Sequence, residues 1–358
     1  MRQPDPMSLI NLFDSGEDLM SQLRAGQNQA IAAAGGAGLP PKCRIEPIEE
    51  IRTLFVDEFQ KVRIEKGEKP AERAVFRKQH GAARAKLSVA ESCPAAFRVG
   101  LWAAGPYEAW IRWSSDAPPD TPDQKNNTLG FAIKLFGVSG PTLATDNPMA
   151  STADLIFQNS DIFFVDNVAE MCAISTDFNA FVANHRRSDL ILKEMAKPEK
   201  SLVTARYSST LPYALGGAIV KYRLVAERTP DDAVAGNSPN YLAEDLKRRL
   251  KAGAIGFLLD AQAFVDQSVT PVDQATERWA EELSPFVTVA RLDIAAQDID
   301  QDGQAAYGES LAFSPWRTLH DNRPLGSIAD ARRIAYPSSA ALRRSVNGQS
   351  LQEPEQPR

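Results

Sequence analysis

The sequence predicts an α+β protein: an antiparallel β-barrel with surrounding helices and a helical extension at its N-terminus. Three observations carry this. From about residue 73, segments rich in β-branched and aromatic residues follow one another at short spacing, broken by Gly, Pro and Asp. Such a succession suits a barrel or sandwich better than alternating βαβ units. Helical periodicity dominates roughly the first 65 residues, and a last helical segment follows Gly326.

Taken in order, residues 8–24 suit a short amphipathic helix, and residues 25–41 (AGQNQAIAAAGGAGLPP) a loose helix running into a flexible linker. Ile48, Ile51, Phe55, Phe59 and Val62 recur at helical spacing. The strand candidates are FRVGLW, YEAWIRWSS, GFAIKLFGV, DLIFQNSDIFFV, YALGGAIVKYRLVAE and FVTVARLDIA. Helices are predicted over 177–197 and 239–253, the second with Ser238 as N-cap and Pro239 at its first position. The last helix is predicted from Ser327, with Ser327 and Asp330 as a capping box, through Pro337 to about Arg344.

Charge and composition narrow the function. The net charge of the 358 residues is -6, and no long Lys/Arg run offers a phosphate-binding stripe, which argues against a nucleic-acid partner. No stretch of about 18 apolar residues occurs, so no membrane span is expected. The first twenty residues carry acidic side chains where a signal peptide needs an apolar run. Cys43, Cys93 and Cys172 lie far apart with no CxxC, which argues against a disulfide framework, Fe–S or structural zinc and suits a reducing, cytoplasmic compartment. The histidines are His80, His185 and His320 alone.

Four groups of residues could carry chemistry. Arg332, Tyr336 and Arg343 fall at offsets of four and eleven, near one face of a helix. An Arg one turn from a Tyr favours phenolate, a hard ligand for ferric iron; the plain alternative is a surface helix with a half-buried Tyr. Arg77 and His80 form R-x-x-H ahead of a turn, so His80 is either a general base or a structural turn histidine. Gln158 and Asn159 interrupt an apolar strand and are either a fixed donor aimed into a pocket or the point where the strand stops. Alternation sets Ile111 and Trp113 on one face of their strand and Arg112 and Ser114 on the other. An Arg turned into a barrel would need an anion; one turned outward would be unremarkable. No GxSxG, P-loop or HExxH is present, and GGAG at 35–38 does not join a strand to a helix.

In this order the segments resemble the catalase family over about residues 70–345. R-x-x-H at 77–80, IRWSS at 111–115, GFAIKLF at 130–136, NSDIFFV at 159–165 and LAFSPWRTLHDNRPLGSIADARRIAYP at 311–337 are similar to its motifs. The resemblance implies a catalase-like, haem-binding barrel domain over 66–358; the helical extension over 1–65, read from its periodicity, has no counterpart in the family. It implies haem b, with Tyr336 as the iron ligand and Arg332 stabilising its phenolate. Arg77, Arg112 and Arg343 would pair with the propionates, and His80 and Asn159 would form the distal pair. Phe164 would pack against the haem or shape the pocket above it, and Ser114 would lie near the His80 ring. The chain departs from the family in having Gln79 where a channel-narrowing Val usually precedes the distal histidine. It is also expected to lack the long threading arm and the NADPH-associated domain, and so resembles the small, truncated catalase-like proteins, which are often homodimers.

The implied activity is cleavage of the O–O bond of hydrogen peroxide or an organic hydroperoxide. His80 would carry a proton from the near oxygen to the far one, and Asn159 would donate a hydrogen bond. The second substrate would be another peroxide or a small organic reductant. Two other readings stay open: a lyase or isomerase of fatty-acid hydroperoxides like allene oxide synthase, and a non-catalytic haem carrier or sensor.

Overall fold

In the computed structural model, residues 16–125, 128–228 and 236–358 are described; the first half of the helix expected over 8–24 lies outside them. Nine strands are present among these residues: β1 (Lys78–Val89), β2 (Tyr107–Ser115), β3 (Leu129–Phe136), β4 (Thr152–Gln158), β5 (Tyr207–Ser208), β6 (Tyr213–Leu215), β7 (Ala218–Ala226), β8 (Ile255–Ala263) and β9 (Phe286–Ile294). All pair antiparallel, in the order β5-β4-β3-β2-β1-β9-β8-β7-β6. A further β5–β7 pairing closes an eight-stranded barrel and leaves β6 as a hairpin on β7. The barrel expected from the strand pattern is therefore observed.

Alternation decides what each strand contributes. On β2, Ala109, Ile111 and Trp113 enter the barrel core, as do Phe131, Ile133 and Leu135 on β3 and Ala153, Leu155 and Phe157 on β4. Inside, Phe131 meets Trp113, Tyr207 and Phe257 edge-to-face with ring centroids 5.1, 5.0 and 5.3 Å apart. Each such pair adds about 0.5–1.5 kcal/mol beyond its burial. The interior is thus a packed core, and any ligand cavity has to lie on the outer wall.

Helices cover that wall. They are α1 (Gly16–Ala33), α2 (Pro41–Ile45), α3 (Pro47–Arg52), which runs through a π-helical stretch (Thr53–Lys61) into α4 (Val62–Glu65), α5 (Val168–Thr176), α6 (Phe178–Asn184), α7 (Arg186–Met195), α8 (Tyr241–Ala252), α9 (Gln304–Ser310) and α10 (Ser327–Val346). Leu23, Cys43, Ile48 and Ile51 from the N-terminal helices pack with Val168, Cys172 and Ala173 of α5 and Ile328 and Ala331 of α10. The N-terminal helices are thereby built into the wall that faces α10.

Several local expectations change. FRVGLW forms short 3-10 turns at Ala95–Phe97 and Gly100–Ala103 and is not a strand. The strand read through Val165 ends at Gln158, and α5 follows with the Asn167 side chain accepting from the amides of Ala169 and Glu170. The helix expected over 239–253 begins at Tyr241, and Ser238 instead accepts from the Asn240 amide. No capping box forms at the start of α10: Gly326 occupies the N-cap, and the Ser327 hydroxyl accepts from the Val168 amide. Pro337 lies inside α10, as expected.

Cys43 and Cys172 form a disulfide, against the expectation that the three cysteines build no disulfide framework. The two are 129 residues apart, and only the packing of α2 against α5 brings them together. Disulfides persist mainly in oxidising compartments, so the cysteine pattern no longer supports a reducing, cytoplasmic one. Among the described residues, no helix is long and apolar enough to cross a membrane.

Candidate functional site

Two adjoining cavities, of about 480 and 130 Å³, lie between the outer wall of β2–β4, α10 and the π-helical stretch. The larger falls within the roughly 300–1,000 Å³ usual for small-molecule sites. Tyr336 and Phe76 line both. From the barrel come Arg112, Ser114 and Gly130, which face away from the packed interior. Arg112 is thus an outward residue, yet it is only 2% exposed and pairs with Glu309 of α9.

The helical face read from Arg332, Tyr336 and Arg343 exists. An Arg332 Nη donates to the Tyr336 hydroxyl at 2.6 Å. Arg332 borders the large cavity and Arg343 the small one. Phe164 also lines the large cavity, stacked on Phe163 at 4.2 Å, and Ser114 lines the small one.

The small cavity ends in a cationic cluster that the sequence reading placed only in part. Arg73, Arg112 and Arg343 line it together. Arg77 does not; it pairs with Glu72 at 2.6 Å and Glu68 at 3.0 Å. Glu309 of α9 is the internal counter-charge. Its carboxylate pairs with Arg73 and, at 2.9 Å, with Arg112, while its carbonyl accepts from Arg343. Burial would raise this carboxyl, but Arg112 and Arg73 outweigh it and hold it at about 2. Three guanidiniums against one carboxylate leave a surplus of two positive charges.

His80 and Asn159 line neither cavity. His80 sits in a β-bulge between Gln79 and Gly81. Its Nε2 lies 3.2 Å from Ser115 Oγ, and Ser115 shares the inward parity of Ile111 and Trp113. Its Nδ1 is 3.9 Å from Asp123 and has no hydrogen-bond partner. Burial, with Lys78 and Arg112 nearby, pushes the imidazole down to about 3, so it is neutral. Asn159 lies one residue past the end of β4. Its Oδ1 accepts from the Leu129 amide at 2.8 Å and its Nδ2 donates to Glu199 at 3.3 Å.

Two neighbours in the chain stand at the cavity instead. Phe76, four residues before His80, has φ +54° and packs so closely on β3 that a Cβ on Gly130 would lie 2.6 Å from its ring. Gln158, one residue before Asn159, lines the large cavity, and its buried amide nitrogen has no partner. Arg73 precedes Phe76 as Arg77 precedes His80, so R-x-x spacing occurs twice four residues apart. That duplication and the adjacent amides were the available signals for the residues missed, Arg73, Phe76 and Gln158; Glu309 carried none.

The whole arrangement is an apolar cavity that carries Tyr336 in its wall and adjoins a cluster of three arginines. No family model matches the sequence, and no curated protein matches it. Solved structures do. A fungal catalase superposes with a TM-score of 0.60 at 16% identity, over 81% of this chain and 64% of that one. A bacterial catalase gives 0.61 at 17%, over 80% and 60%, and catalase A of Saccharomyces cerevisiae 0.60 at 16%, over 79% and 63%. The chain therefore spans 60–64% of the length of these catalases. Closed barrel, wall helices and superposition together give this chain a catalase-like fold.

Proposed function

We propose that this chain is a tyrosinate-ligated haem protein that takes hydroperoxides as ligands and substrates, an oxidoreductase of catalase-like fold. The observation that carries this reading is the Arg332–Tyr336 contact at 2.6 Å in the wall of a cavity whose far end gathers Arg73, Arg112 and Arg343. Tyr336 would supply the metal ligand, and Arg332 would hold its oxygen as phenolate. The three guanidiniums would pair with the propionates of haem b. Bound ferric haem would supply the redox centre for O–O cleavage.

The chain's own residues set the limits of that chemistry. Phe76 offers no proton-transfer group, and His80 is buried on the inner side of β1. General acid–base assistance is worth roughly 10²–10⁴ in rate, and neither of these two residues supplies it at the cavity. Gln158 would donate a hydrogen bond to a ligand bound in the large cavity. The same lack of an imidazole favours a second reading, a haem carrier or sensor. Ferric absorption spectra of the wild type and Tyr336→Phe test the ligand, since the variant should lose or shift the haem bands. Oxygen release or donor oxidation on adding peroxide then separates enzyme from carrier.

A further inference from the structure

Among the described residues lining the two cavities, Asp116 is the one carboxylate, and there is no imidazole. It follows the last residue of β2, where its own amide donates to the Thr128 carbonyl at 2.9 Å. Its Oδ1 accepts from the Phe76 amide at 3.3 Å, so the carboxyl is tied to the residue whose ring fills the cavity beside Tyr336. Among the described residues its Oδ2 has no hydrogen-bond partner. Gln158, with its unpartnered amide nitrogen, lines the same cavity.

We infer that Asp116 is the proton acceptor of this cavity, deprotonating small weakly acidic ligands that bind there as anions. Hydroperoxides and hydrogen cyanide are of this class. The inference rests on the haem reading proposed above. One proton passes from the ligand to Asp116 Oδ2, the ligand's electron pair stays on the atom that binds, and no electrons change hands. Gln158 steadies the resulting anion by donating from its amide nitrogen. The Asp116 side chain is exposed at the cavity; desolvation by the protein around it raises the carboxyl, and the Phe76 amide and Arg77 only partly offset this. Arg77 is itself paired with Glu68 and Glu72, which blunts its effect. A carboxylate made more basic is better matched to accepting a proton near neutral pH.

Cyanide binding to the haem-loaded full chain, followed by stopped-flow absorption, tests this without relying on turnover. Asp116→Asn should slow cyanide association by about 100-fold. Imidazole, which binds as a neutral molecule and surrenders no proton, should associate at the wild-type rate. Asp116→Glu should recover most of the cyanide rate. An unchanged cyanide rate in Asp116→Asn overturns the assignment, as does equal slowing of both ligands. A wild-type protein that shows no ferric haem bands at all refutes the haem reading first, which is a separate result.

Discussion

Gln158 and Asn159 are neighbours in the chain, yet Gln158 borders the large cavity while Asn159 is spent on Leu129 and Glu199 outside it. The amide that can meet a ligand is therefore the first of the pair. Gln158→Leu should weaken an anionic ligand of the haem-loaded protein by about 1–3 kcal/mol, roughly 5- to 150-fold in Kd. Asn159→Ala should leave that Kd unchanged and lower stability instead. Cyanide titrations and denaturant melts of both variants separate the two effects.

Phe76 stands where a proton-transfer side chain would face the cavity, with φ +54° that histidine adopts more readily than most residues. Phe76→His should raise the rate of reaction of the haem-loaded protein with hydrogen peroxide by about 10² or more. Rapid mixing with peroxide checks this, and a rate equal to wild type would show that the ring does not face the reacting ligand.

His80 is predicted to govern stability and not ligand chemistry. Its folded-state pKa of about 3 lies below the ordinary value, so the unfolded chain binds the proton more readily. Its contribution is fully present above about pH 6.5 and is lost as the pH falls toward 3, by up to about 1.4 kcal/mol per unit. His80→Gln should flatten the difference in urea stability between neutral and acidic buffer. Its peroxide reactivity should match the wild type.

Glu309 neutralises one of three guanidiniums at the small cavity. Glu309→Gln should lower the melting temperature of the haem-free protein, because Arg73, Arg112 and Arg343 then face one another without a counter-charge. Haem propionates should restore it, so the loss should shrink on loading. Thermal melts with and without haem measure the gap, which should also narrow in high salt.

The Cys43–Cys172 disulfide closes a loop of 129 residues between α2 and α5. A Cys43→Ser, Cys172→Ser double variant should lose about 2–4 kcal/mol of stability. The same residues belong to the cluster behind Ile51 and Val168 in the cavity wall, so bound haem should also dissociate faster. Reductant added to the wild type should reproduce both effects.

The sequence by itself determined the fold class and the Tyr336 helix. Both follow from local periods: two residues for strands that bury one face, and about 3.6 for a helix that brings Arg332, Tyr336 and Arg343 together. Only the tertiary structure decided which side chains meet across the cavity. In a strand a shift of one residue reverses the face, and no composition rule shows where β4 ends or where β1 bulges at His80. Pairing with β2 and β3 settles both, and so exchanges Asn159 for Gln158 and His80 for Phe76 at the cavity. The Arg73–Arg112–Glu309 cluster and the disulfide join positions up to 236 residues apart, and only the packing of helices on the barrel wall makes them neighbours.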